Sequence, residues 1–93
     1  MAYEIITTGK FRKDLKLLAK RKYDLNKLKA VLKLLQNDQP IPEQYQDHQL
    51  RGNLQHFREL HISPDWLLIY LKDSNRMILT LSRTGTHADL FSK

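Results

Sequence analysis

The hydrophobic period of this chain changes once, and that change constrains the fold more than any other feature. Up to residue 36 the apolar residues recur at spacings of three and four: Phe11, Leu15, Leu18 and Ala19, then Leu25, Leu28, Val31 with Leu32, and Leu35. From residue 54 onward they alternate. The first spacing lines one stripe of a helix, and the second lines one face of a strand. Pro40-Ile41-Pro42 lies between the two regimes, and a helix does not continue through it. A chain that is helical first and extended later builds its core by laying the helical stripe on the sheet. The expected fold class is therefore α+β.

Local signals divide the chain further. Residues 3–7 are short and β-branched at two central positions, which predicts a strand. Thr7 or Thr8 then caps a first helix, and Asp24 caps a second. A short join between two amphipathic helices predicts an antiparallel hairpin, which Asn37 and Asp38 end. Residues 43–53 are polar and read as a loop. Residues 54–62, 65–71 and 76–82 read as three strands. Turns at Ser63-Pro64 and Asp73-Ser74-Asn75 join them into an antiparallel meander. Thr86 and Asp89 make a capping box that starts a last helical turn, and Gly85 permits the sharp exit from the strand before it. Residues 1–93 are expected to form one domain: N-terminal strand, antiparallel helical hairpin packed on an antiparallel sheet, short C-terminal helical turn.

Charge is distributed unevenly. Residues 1–39 hold ten Lys and Arg against four acids, and residues 40–93 hold six against six. The surplus thus falls on the helical part, a distribution suited to a polyanion or, more plainly, to a solvated helical face. There are no cysteines, which excludes disulfides and thiolate-based zinc sites. The longest apolar run, residues 66–71, is too short to span a bilayer, and residues 1–10 show no signal-peptide pattern. The reading is a cytoplasmic protein without membrane contact.

The four histidines are His48, His56, His61 and His87. His56 and His61 are five apart in one predicted strand and point to opposite faces, so no metal site is expected. Strand parity places Leu60 and Ile62 against the helices and turns His61 outward. It places Leu67, Ile69 and Leu71 against the helices as well, which turns Trp66 outward. Asp65 lies beside both, and the final turn brings His87 and Phe91 back toward them. Arg83 shares parity with Met77, Leu79 and Leu81, which aims it at the core. Such a set suits RNA cleavage by a 2′-OH attacking the adjacent phosphate, which requires a base, an acid and a cation but no metal. His48, His61, His87 and Asp65 are candidates for proton transfer, Arg83 for holding the phosphate, and Trp66 and Phe91 for stacking bases. The plainer alternative makes Asp65 a turn residue, Trp66 and Phe91 the rim of the core, and His48 a loop residue.

Three stretches, DHQLRGN (residues 47–53), FRELHISPDWLLIY (residues 57–70) and RTGTHADLF (residues 83–91), together resemble the YafQ branch of the RelE-type toxins. The resemblance covers nearly the whole chain. It implies a RelE-like microbial ribonuclease fold and the toxin of a type II toxin–antitoxin system. It implies a ribosome-dependent endoribonuclease that cuts mRNA at the A-site codon without metal or cofactor. It carries catalytic roles onto His48, His61, Asp65, Arg83 and His87, and substrate contacts onto Trp66 and Phe91; His56 receives no role. It assigns contact with ribosomal RNA to Lys10, Lys13, Lys16, Lys20, Arg21 and Lys22. The implied partners are a cognate antitoxin, the ribosome and mRNA, and the free toxin is expected to be a monomer. The competing expectations are a non-catalytic ParE-type toxin that binds a protein target such as gyrase, and a passive nucleic-acid-binding module.

Overall fold

The computed structural model describes residues 2–91. Its elements run β1 (Glu4–Thr7), α1 (Gly9–Lys20), α2 (Leu25–Gln36), β2 (His48–Gln49), β3 (Arg58–Ser63), β4 (Trp66–Asp73), β5 (Ile78–Gly85) and α3 (His87–Phe91). Single 3₁₀ turns at Glu43–Tyr45 and Gly52–Leu54 flank β2. The five strands form one sheet in the order β1-β5-β4-β3-β2. The meander β3-β4-β5 is antiparallel, whereas β1 joins its edge parallel to β5. The fold is α+β, with a mixed sheet in place of the purely antiparallel one expected.

Helices α1 and α2 each begin where a side chain can meet an otherwise free backbone amide. The Phe11 amide donates to Thr8 Oγ1 at 3.0 Å, and the Asn26 amide donates to Asp24 Oδ1 at 3.0 Å. Phe11 and Leu18 from α1 and Leu28, Val31 and Leu35 from α2 are buried against Leu60, Ile62, Leu68, Leu79 and Leu81 of the sheet. Each fully buried Leu or Phe of this set stabilises the fold by about 1.5–3 kcal/mol.

The register corrects the parity expected for β4. Leu60 opposes Leu68, and Tyr70 opposes Leu81, so the even-numbered residues of β4 face the helices. Trp66 therefore points into the core and is only 2% exposed. Its ring stands edge-on to Tyr23 at 5.1 Å, and its indole N–H donates to Thr84 Oγ1 at 2.9 Å. Leu67 and Ile69 lie on the other face and are also buried. Alternation cannot identify the inner face of a strand that is covered on both sides.

A second correction concerns Arg83. Ile69 opposes Arg83 and Tyr70 opposes Leu81, so Ser82 is an extra residue in β5. This bulge reverses parity: Leu79 and Leu81 stay in the core, Thr84 replaces the next core position, and Arg83 passes to the opposite register.

Candidate active site

Strand pairing alone builds the floor of a cleft on the sheet face away from the helices. One cross-strand row reads His48, Glu59, Ile69, Arg83, and the next reads His61, Leu67, Gly85. Residues directly opposed in adjacent antiparallel strands share a face. His48, expected in a loop, is thus fixed by the two-residue strand β2. The apolar floor residues Leu67 and Ile69 lie beneath the polar rim.

The roof is α3. Its start is held by the capping box: the Thr86 amide donates to Asp89 Oδ2 at 3.0 Å, and the Asp89 amide donates to Thr86 Oγ1 at 3.1 Å. Gly85 lies under this cap at φ 154°, where a Cβ would come within 3.0 Å of Asp89 Oδ2. Arg21 of α1 clasps the same carboxylate through Nη1 at 2.8 Å and Nη2 at 3.2 Å. The Arg21 guanidinium and the Thr86 amide hold the Asp89 carboxyl down at about 2. The terminal turn is thereby tied to α1 as well as to β5.

His87 is the first residue of α3 and extends over the floor. Its ring lies 5.9 Å from that of His61 and 6.2 Å from that of Phe91, and His61 lies 6.4 Å from His48. Asp65, from the β3–β4 turn, accepts from His87 twice, from the backbone N–H at 3.3 Å and from Nδ1 at 3.2 Å. That contact leaves His87 Nε2 directed elsewhere. Phe91 is 45% exposed and faces a cavity of about 180 Å³ that it shares with Leu54, Phe57, Ile69 and Arg83. His48, His61, Asp65, His87 and Phe91 therefore come together, while His56 lies beside the β4–β5 turn, away from the cleft.

Two of the expected contacts are different. Trp66, placed among the substrate contacts, has neither ring face open; it supports the floor from beneath through Thr84, whose hydroxyl also donates to Leu67 O at 2.8 Å. Arg83 does not reach freely into the cleft. Its Nε and Nη2 donate to Asp14 at 2.7 and 3.1 Å, and this pairing raises its guanidinium further above its ordinary range. The same carboxylate accepts the Thr84 amide at 3.1 Å, closing the strand edge that β1 leaves open after Thr7. Nη1 remains as the Arg83 donor without a partner among the described residues.

Asp14 and Glu59 were absent from the expected set. Asp14 had a signal, since it interrupts the stripe Phe11, Leu15, Leu18 at a helix position that faces inward. Glu59 had a weaker one, being an acid two residues before His61 in a strand. The six basic residues Lys10, Lys13, Lys16, Lys20, Arg21 and Lys22 are all exposed, but Arg21 is engaged by Asp89.

The described residues hold no group of three or more His, Cys, Asp or Glu arranged to ligate a metal, and no helix among them is long and apolar enough to cross a membrane.

Residues 3–92 match the family model of the bacterial toxin of type II toxin–antitoxin systems, YafQ. The mRNA interferase toxin YafQ of Escherichia coli K12 is 47% identical over 90 residues, which cover 95% of each chain. The chain superimposes on the toxin of the E. coli DinJ-YafQ toxin–antitoxin complex with a TM-score of 0.89 at 43% identity, covering 98% of this chain and 99% of that one. A metal-bound toxin from Helicobacter pylori matches with a TM-score of 0.89 at 44% identity, covering 98% and 100%.

Proposed function

The chain belongs to the YafQ family of bacterial type II toxins, and from that premise we propose that it is an mRNA interferase acting on the ribosome-bound message by metal-independent acid–base chemistry. The observation that carries the reading is the convergence of His48, His61 and His87, with Asp65 on His87, over an apolar floor. A base in the cleft takes the proton of a ribose 2′-OH, and the 2′ oxygen attacks the adjacent phosphorus. The bond to the 5′ oxygen breaks, and an acid returns a proton to that oxygen. The products are a 2′,3′-cyclic phosphate and a 5′-OH end. The His61 ring lies 6.4 Å from that of His48 and 5.9 Å from that of His87, so a base and an acid are available to one phosphate. Arg83 offers Nη1 to the developing negative charge. Phe91 presents the exposed ring on which a base can stack.

The remaining assignments belong to the same proposal. Residues 1–93 act as one domain. Lys10, Lys13, Lys16, Lys20 and Lys22 meet ribosomal RNA, whereas Arg21 holds α3. A cognate antitoxin restrains the toxin, as DinJ accompanies the E. coli relative. Metal dependence is the competing outcome, favoured by the metal-bound toxin from H. pylori.

The test is cleavage of a defined mRNA on programmed ribosomes with an empty A site, with free mRNA as control. The enzyme is stripped with EDTA, and magnesium is restored for the ribosome alone. A cut at the A-site codon that persists after stripping, is absent on free mRNA and is lost in His87→Ala supports the proposal. No cut on ribosomes overturns it in favour of a ParE-like or passive binding role. Loss on stripping, with recovery on adding a transition metal, overturns the metal-independent part.

A further inference from the structure

We propose that Glu59 is a positioning residue of this nuclease: one buried carboxylate that orients His48 and His61 together and neutralises the imidazolium formed when either takes up a proton. The inference rests on the nuclease reading above and extends it to a residue that reading does not use.

Glu59 is the one buried charged residue among the described residues, at 6% exposure. A buried carboxylate destabilises a fold unless a cation or hydrogen-bond donors meet it. Its partners here are both titratable. Glu59 Oε1 lies 3.4 Å from His48 Nε2 and 4.0 Å from His61 Nε2, with no Lys or Arg within that range among the described residues. Other charged groups around the cleft are already paired: Arg83, at the far end of the same cross-strand row, with Asp14, and His87 with Asp65. The neighbour of Glu59 on β4 is the apolar Ile69.

The other nitrogen of each ring faces a carbonyl. His48 Nδ1 lies 2.7 Å from Gln46 O, and His61 Nδ1 lies 3.3 Å from Pro64 O. A carbonyl only accepts, so this pattern assigns the proton of each neutral ring to Nδ1 and the lone pair to Nε2. Both Nε2 atoms then face one carboxylate oxygen, which repels a lone pair and accepts a hydrogen bond once Nε2 carries a proton. When a 2′-OH proton passes to either Nε2, the new N–H⁺ faces Glu59. The carboxylate stabilises that imidazolium from the nitrogen that receives the proton, whereas a triad aspartate does so from the opposite nitrogen. Because the oxygen is shared, one acid serves two candidate bases.

Two measurements test this on the full chain. The first is single-turnover cleavage on saturating ribosomes for Glu59→Gln, an isosteric change, and for Glu59→Asp. Glu59→Gln is expected to slow cleavage about 10- to 100-fold with unchanged ribosome affinity, and Glu59→Asp to recover part of the rate. In a His48→Ala/His61→Ala background Glu59→Gln is expected to add nothing. A wild-type rate in Glu59→Gln, or an equal loss in the double-histidine background, overturns the proposal. The second is the long-range ¹H–¹⁵N spectrum of the imidazoles, which reads tautomer and protonation without any cleavage. Altered His48 and His61 ring signals in folded Glu59→Gln or Glu59→Asp, with His87 unaffected, support the positioning role, and unchanged signals overturn it. If the wild type fails to cut at all, the nuclease reading falls, while the spectra still decide whether Glu59 holds the rings.

Discussion

Asp14 and Asp65 each hold a basic side chain of the same cleft, but the two pairs are made differently. The Asp14 side chain is 13% exposed and accepts three hydrogen bonds, two from Arg83 and one from the Thr84 amide. The Asp65 side chain is 71% exposed and meets His87 at 3.2 and 3.3 Å. The first pair binds α1 to the open edge of β5 with a planar, bidentate fork that has little freedom to reorganise. The second steers one ring while leaving both groups in water, where protons can come and go. On the proposed reading, the pair that works on protons is thus loose and the framing pair tight. A pair of the second kind contributes little to stability, because exposed charges are screened.

Breaking the exposed pair should separate activity from stability most widely. Asp65→Asn is expected to slow ribosome-dependent cleavage about 10- to 100-fold, since the ring loses its orienting anion. Its unfolding free energy should stay within about 0.5 kcal/mol of the parent in urea titration, as for other exposed substitutions. Breaking the framing pair should do the reverse first. Asp14→Ala leaves Arg83 and the Thr84 amide unmatched, and is expected to lose about 2 kcal/mol of stability. That corresponds to a fall of about 10 °C in melting temperature by calorimetry. A stable Asp14→Ala protein would remove the distinction drawn between the two pairs.

Smaller effects sharpen it. Thr86→Ala removes the cap that holds α3 and is expected to loosen that turn by about 1 kcal/mol, read as faster amide exchange at Asp89 and Leu90. The smallest effect is a titration. The Asp89 carboxyl is held at about 2 by Arg21 and the Thr86 amide, below its ordinary 3.8. A depressed carboxyl stabilises the fold above the unfolded value, so its contribution is complete above pH 3.8 and is lost as pH falls through about 2. Carboxyl NMR shifts should show this midpoint, and Arg21→Ala should move it back toward the ordinary range.

How far the sequence carries the reader depends on what each position answers to. The helices, their caps and the capping box at Thr86 and Asp89 were legible because they depend on neighbours within four residues. Parity and the returning final turn grouped His61, Asp65, His87 and Phe91, the chemistry and the resemblance added His48, and the structure places these five side chains together. Trp66 was not legible, because β4 is covered on both faces and its alternation carries no inward direction. Arg83 was not, because a single bulge at Ser82 reverses parity without changing composition. The parallel pairing of β1 with β5 leaves no local trace, and Glu59 acquires its meaning only when β2 pairs with β3.

That pairing of β1 with β5 also fixes an order of events in time. Thr8 and Ser82, which share a hydrogen bond, stand 74 positions apart in the chain. During synthesis β1 and the helical hairpin emerge long before the strands they pack against. Contacts of such long range form slowly, and until they do the apolar stripes of α1 and α2 remain uncovered. His87 follows β5 directly in the chain and joins the cleft only once β5 has been made. The three histidines therefore cannot meet until translation has passed residue 87.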